Sequence, residues 1–193
     1  MVATPSTMLD LGTTLPPFRL RDINGKAVTS NDFGESRGLV VAFLCPHCPY
    51  VRHVRGEFAR VAKDLQGRGI SVIAINSNDA SASPDDSPDG MRKEASEVGY
   101  TFPYLVDDTQ EVAKSFRAAC TPDFFLFDDQ RRLVYRGQFD DSRPNSSMPV
   151  TGKDLKAAVD ALLSHRPVTD DQRPSLGCNI KWIKGGEPDY FRH

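Results

Sequence analysis

Apolar residues along this chain fall into runs of two kinds. Leu39-Val40-Val41-Ala42-Phe43-Leu44 and Ile70-Ser71-Val72-Ile73-Ala74-Ile75 are nearly unbroken, the pattern of strands buried on both faces. Between them Val51, Val54, Phe58, Val61, Ala62 and Leu65 recur at helical spacing, and Gly67 and Gly69 mark the exit. Residues 39–75 therefore read as a strand-helix-strand unit, the core of an α/β fold.

The flanks extend the pattern. Phe18-Arg19-Leu20-Arg21 alternates, Asn24-Gly25 signals a tight turn, and Ala27-Val28-Thr29 returns, which predicts an N-terminal hairpin. Residues 77–90 are a polar loop, and a helix is expected over 88–98, capped by Ser87 and stopped at Gly99. Residues 102–106 read as extended, and Asp107 or Asp108 caps a helix that turns Val112, Ala113 and Phe116 inward. Phe124-Phe125-Leu126-Phe127 and Leu133-Val134-Tyr135-Arg136 read as strands joined by a polar turn. A closing helix is expected from Thr151, with Asp154 three residues on, burying Leu155, Ala158, Val159, Leu162 and Leu163. The domain spans 1–164, and 165–193 is a Pro- and Gly-rich tail that holds Cys178 and Trp182 and packs back on it.

Composition narrows the function. The 193 residues, 39% hydrophobic and 26% charged, fit one globular domain with a tail. A net charge of -2 offers no electrostatic case for nucleic acid or an anionic membrane as partner. No apolar run approaches the ~20 residues of a membrane span. The first eight residues lack a basic segment followed by an apolar one, so a cytoplasmic location is expected. Four cysteines are too few for a disulfide-dense secreted scaffold and are better read as catalytic or metal-binding. The four aspartates of the 77–90 loop lack the glycine and glutamate of a calcium loop, so that segment reads as a connector. No cofactor is expected.

The sharpest chemistry is Cys45-Pro46-His47-Cys48, set between the first buried strand and the long helix. The free N–H groups and positive dipole end of a helix N-terminus stabilise a thiolate there, so the two thiols read as a redox pair. With Thr121-Pro122 immediately before an apolar strand, the arrangement resembles the thioredoxin superfamily. More narrowly, Phe43-Leu44-Cys45-Pro46-His47-Cys48-Pro49-Tyr50-Val51, Ala74-Ile75-Asn76-Ser77-Asn78-Asp79, residues 118–127 and the tail piece Gly177-Cys178-Asn179-Ile180-Lys181-Trp182 resemble the peroxiredoxin-like, AhpC/TSA-type redoxins of bacteria.

The resemblance implies a three-layer α/β/α thioredoxin-like fold with a central mixed sheet, an N-terminal hairpin and an inserted helix. It also implies a cis Pro122 beside the dithiol, with Thr121 presenting backbone groups to an extended substrate segment. The activity it implies is thiol-disulfide exchange on a disulfide-containing protein or small-molecule disulfide, sustained by an upstream thiol reductant. Cys45, as the more exposed thiol, attacks and Cys48 resolves. Pro46 and His47 tune the couple, and His47 supplies a charge or hydrogen bond to the thiolate; Arg52, His53 and Arg55 lie within two turns. Cys120 supports the site from beside Pro122, as a buried thiol or a third redox group, and Cys178 reads as a small buried hydrophobe.

Two departures open other readings. Leu44 stands where thioredoxins carry tryptophan, and residues 39–43 hold no buried carboxylate. Cys48-Pro49 matches the peroxidatic cysteine and proline of peroxiredoxins, with Cys45 in place of their hydroxyl residue. In that reading Cys48 is oxidised to sulfenic acid and Cys45 resolves it. Alternatively Cys45, Cys48 and Cys120, with His47 or His53, hold Cu(I) or zinc.

Overall fold

A computed structural model describes residues 3–191. Met1, Val2, Arg192 and His193 lie outside that range. The described chain begins with β1 (Ala3–Pro5) and the expected hairpin of β2 (Arg19–Asp22) and β3 (Ala27–Thr29). The central unit follows as β4 (Gly38–Phe43), α1 (Pro49–Gly67) and β5 (Ile70–Asn76). Then come α2 (Pro88–Val98), β6 (Tyr104–Val106), α3 (Glu111–Ser115), β7 (Cys120–Thr121), β8 (Asp123–Phe127) and β9 (Leu133–Gly137). Helix α4 (Lys153–Leu163) and β10 (Leu176–Asn179) close it.

Seven strands form a mixed sheet in the order β3-β2-β6-β5-β4-β8-β9, with β4, β5 and β6 parallel. Every residue of β4 is buried, and side chains alternate between two cores because successive residues point to opposite faces. Val40, Ala42, Phe124 and Leu126 pack under α1, α2 and α4 on one face. Leu39, Val41, Phe43, Phe125 and Phe127 meet α3 and the N-terminal segment on the other. These are the three layers that the resemblance implies. Among the described residues no helix is long and apolar enough to cross a membrane.

Local chemistry explains most boundaries. Ser87 Oγ accepts the Gly90 N–H at 3.3 Å, and Gly99 ends α2 in the left-handed conformation at φ 78°. Neither Asp107 nor Asp108 is the N-cap of α3, a place Gln110 takes at φ 63°, but the Asp107 carboxylate accepts the N–H groups of Val112 and Ala113 at 3.4 and 2.9 Å. Thr151 does not cap α4. Gly152 takes that place at φ 64°, while the N–H groups of Thr151 and Gly152 both donate to Asp140 Oδ2, at 2.6 and 2.7 Å. A remote carboxylate thus replaces the local cap.

A second sheet, in the order β1-β10-β7, has no counterpart in the sequence patterns. Its strands are two to four residues long and none shows period-two alternation. The tail enters it as the middle strand.

Candidate active site: a dithiol beneath the C-terminal strand

Cys45 and Cys48 occupy the turn from β4 into α1. Cys48 is the N-cap residue, extended at φ -68° and ψ 123°, and Pro49 takes the first helical position, where its missing N–H costs nothing. Thr121-Pro122 is a cis bond, as the resemblance implies, and it brings Thr121 onto both sulfurs. Thr121 Oγ1 lies 3.1 Å from Cys45 Sγ, and Thr121 O lies 3.2 Å from Cys48 Sγ. The two thiols also hydrogen-bond each other.

Neither is exposed. Cys45 and Cys48 both have 0% accessibility, so the expected greater exposure of Cys45 is not found. What separates them is the polar environment. Burial pushes the Cys45 thiol well up, its hydrogen bond to Cys48 adds to that, and the Asp86 charge acts in the same direction. Cys48 goes the other way, to about 2, held by the Cys178 thiol, the Cys45 thiol and the Val51 N–H of the first helical turn. As a thiol, Cys48 donates to Thr121 O, and its side chain makes no capping hydrogen bond to the first turn of α1. The two thiols are thus shifted in opposite directions, Cys48 toward ionisation and Cys45 away from it.

His47 is gripped by a residue from the aspartate-rich loop. Asp86 Oδ2 meets His47 Nδ1 at 2.5 Å, and Asp86 Oδ1 accepts the His47 backbone N–H at 3.3 Å. Asn78 Nδ2 donates to the same carboxylate at 2.8 Å, and Asp86 is 2% exposed. The loop read as a connector thus folds back onto the motif. Arg52 Nε donates to Pro46 O at 2.8 Å and reaches Asp85 at 3.1 Å, which pins the turn. Arg55 pairs with the buried Glu94 at 3.3 Å, and His53 faces Ser142 at 3.2 Å. These three side chains bond other partners than the sulfurs.

The two remaining cysteines sit differently with respect to the dithiol. Cys120 is fully buried, its Sγ directed at Pro122 O at 3.8 Å, and burial drives its thiol up. It supports the cis-proline turn as a small buried side chain. Cys178 reaches the dithiol: β10 pairs antiparallel with β7, Cys178 opposite Thr121, and its thiol hydrogen-bonds Cys48. The Thr121 edge expected to receive an extended substrate segment is occupied by the protein's own tail.

The soft-ligand set of Cys45, Cys48 and Cys120 with His47 or His53 does not come together as a whole among the described residues, although Cys45 and His47 do. Among the described residues Cys45, His47 and Asp86 bring ligand atoms within 4.8 Å of one another, and two of those three already bond each other. The carboxylate missing from residues 39–43 appears one strand away: Asp123, opposite Phe43 in β8, is fully buried, accepts from Ser6 Oγ at 2.9 Å, and is raised by burial to about 7. Sequence reasoning missed Asp86 and Cys178, because no local pattern marks a loop aspartate or a tail cysteine that only folding brings to the motif.

The sequence pattern of the AhpC/TSA family matches residues 11–136. Over 95% of this chain and 97% of the other, the fold superposes with a TM-score of 0.92 on an uncharacterized conserved protein from Geobacillus kaustophilus, 53% identical. The thiol-disulfide oxidoreductase ResA of Geobacillus thermodenitrificans is 23% identical over 130 residues, 67% of this chain and 70% of that one. The thioredoxin domain of a thiol-disulfide oxidoreductase from Bacteroides vulgatus aligns at a TM-score of 0.59 and 17% identity, over 77% of this chain and 96% of that one. That last similarity shows a thioredoxin-like fold.

Proposed function

From a chain that belongs to the AhpC/TSA family we infer a thiol-disulfide oxidoreductase in which Cys48 is the attacking thiolate and Cys45 the resolving thiol. The observation that carries the assignment of roles is the place of Cys48 as the N-cap residue of α1, where neighbouring thiols and the first helical turn lower its thiol while burial raises that of Cys45. A thiolate is the nucleophile in disulfide exchange, and a positively polarised helix end is where a cysteine ionises.

Cys48 thiolate attacks one sulfur of the substrate disulfide, the substrate S–S bond breaks, and its second sulfur leaves with the electron pair. Cys45 gives up its proton to that leaving thiolate and attacks the Cys48 sulfur, which forms Cys45–Cys48 and releases the first substrate sulfur. Cys45 and Cys48 are oxidised, and the substrate is reduced to one thiol and one thiolate, which takes its proton from water. An upstream thiol reductant returns the pair to the dithiol. Asp86 holds the His47 backbone and ring, and Arg52 holds the Pro46 carbonyl, so the turn keeps both sulfurs at Thr121.

The test is single-turnover reaction with an aromatic disulfide that releases a coloured thiolate. Cys45→Ser retains a fast stoichiometric burst, whereas Cys48→Ser slows it by roughly a hundredfold, since its remaining motif thiol is protonated. A burst kept in Cys48→Ser and lost in Cys45→Ser would place the attack on Cys45. Unchanged insulin-disulfide reduction in both variants would remove the dithiol cycle altogether.

The ionised Cys48 also favours a second reading, peroxide reduction. Cys48 would take an oxygen from peroxide as sulfenic acid, and Cys45 would condense with it, expelling water. A burst of peroxide consumption by reduced protein, lost in Cys48→Ser and kept for one turnover in Cys45→Ser, supports this activity; its absence at millimolar peroxide rules it out.

A further inference from the structure

Cys178 belongs to the C-terminal strand, remote in sequence from the motif, yet its placement is tightly specified. β10 lies between β1 and β7, with Ala3 on one side of Cys178 and Thr121 on the other. The neighbouring Gly177 runs so close to the cis-proline turn that a Cβ there would sit 2.0 Å from Thr121 O. That same carbonyl lies 3.2 Å from Cys48 Sγ, so the strand, the turn and the dithiol share one small volume. Cys178 is 2% exposed.

The N-terminus of α1 serves both sulfurs. The Val51 amide favours the ionised form of Cys48 and the Tyr50 amide that of Cys178, two of the amides that an α-helix leaves without internal partners, although the Cys48 side chain makes no capping hydrogen bond. The backbone N–H of Cys178 in turn faces Cys48. A cysteine that merely filled space would not need helix-end amides on its sulfur or a thiol contact with a reactive neighbour.

Resting on the Cys48-first reading above, we propose that Cys178 is a second resolving thiol, which closes a Cys48–Cys178 disulfide in competition with Cys45. In a mixed disulfide between Cys48 and a substrate, the Cys178 sulfur attacks Cys48 Sγ. The Cys48–substrate bond breaks, Cys48–Cys178 forms, and the substrate sulfur departs with the electron pair and takes the Cys178 proton. The substrate disulfide is the only oxidant required. Because β10 fills the edge at Thr121, the thiol on that strand stands next to Cys48 whenever the tail is seated. The oxidised protein then exists as two isomers, one of which ties the tail covalently over the site.

The experiment uses the full chain and oxidised glutathione as the probe, followed by acid quench, alkylation under denaturing conditions and peptide mass mapping. In Cys45→Ser the expected product is a Cys48–Cys178 crosslink with no glutathione retained. In Cys45→Ser with Cys178→Ser, or with Cys178→Ala should the serine fail to fold, Cys48 keeps the glutathione. Cys45→Ser that retains glutathione on Cys48 while Cys178 is alkylated would overturn the proposal. Should Cys48 stay unmodified in both variants while the wild type forms Cys45–Cys48, the Cys48-first reading falls and this proposal with it.

Discussion

Three residues of separation give Cys45 and Cys48 opposite proton preferences. Burial and the Asp86 charge raise the Cys45 thiol, while neighbouring thiols and the helix end lower that of Cys48. Between those two limits, reduction of the disulfide takes up two electrons but a single proton, on Cys45. For a two-electron couple each proton taken up moves the midpoint about 30 mV per pH unit, so the potential should fall by about 30 mV per unit from about pH 5.5 to 8. Equilibration with glutathione buffers across that range checks it, and a slope of twice that size means that both sulfurs are protonated on reduction. The motif itself was readable from its spacing and its strand-helix setting. Asp86 was not, because a carboxylate that orients His47 from a distant loop leaves no trace in either local sequence.

At the scale of elements, α1 and β10 behave differently as objects of sequence reading. Helix α1 declares itself through seven inward apolar positions and a proline at its first residue. β10 is four residues, Leu-Gly-Cys-Asn, with no apolar period, and it exists because β1 and β7 flank it. Gly177 is the residue that admits it. Gly177→Ala places a methyl group against Thr121 O, so the strand must lift from the cis-proline turn. The expected outcome is a loss of about 1–3 kcal/mol in denaturant unfolding. Alkylation of Cys48 and Cys178 by iodoacetamide in the native state should accelerate with it; unchanged stability and unchanged labelling would show that β10 is not seated as described.

For the whole molecule, Asp123 couples the central sheet to the N-terminal segment through Ser6 and does so as a buried acid. Its pKa is raised to about 7 in the folded state against about 4 when unfolded. Between those values the unfolded chain releases the proton and the folded chain keeps it, so stability falls as pH rises from about 4 to 7. Asp123→Asn lacks this dependence. Relative to wild type it should gain on the order of 2–4 kcal/mol between pH 4 and 8 in urea unfolding. A difference between the two proteins that stays flat with pH would sink the assignment. What the chain by itself determined is whatever repeats locally: the continuous apolar strands β4 and β5, the period of α1, the cap at Ser87, and two thiols at a helix start. These follow from short-range sterics and burial, which neighbouring residues specify. Which sulfur carries the charge, which carboxylate holds His47, and whether the Thr121 edge is open were decided by tertiary structure. Each depends on groups that meet only when the tail and the aspartate-rich loop close over the motif, and proximity of that kind is set by the packing of the whole chain.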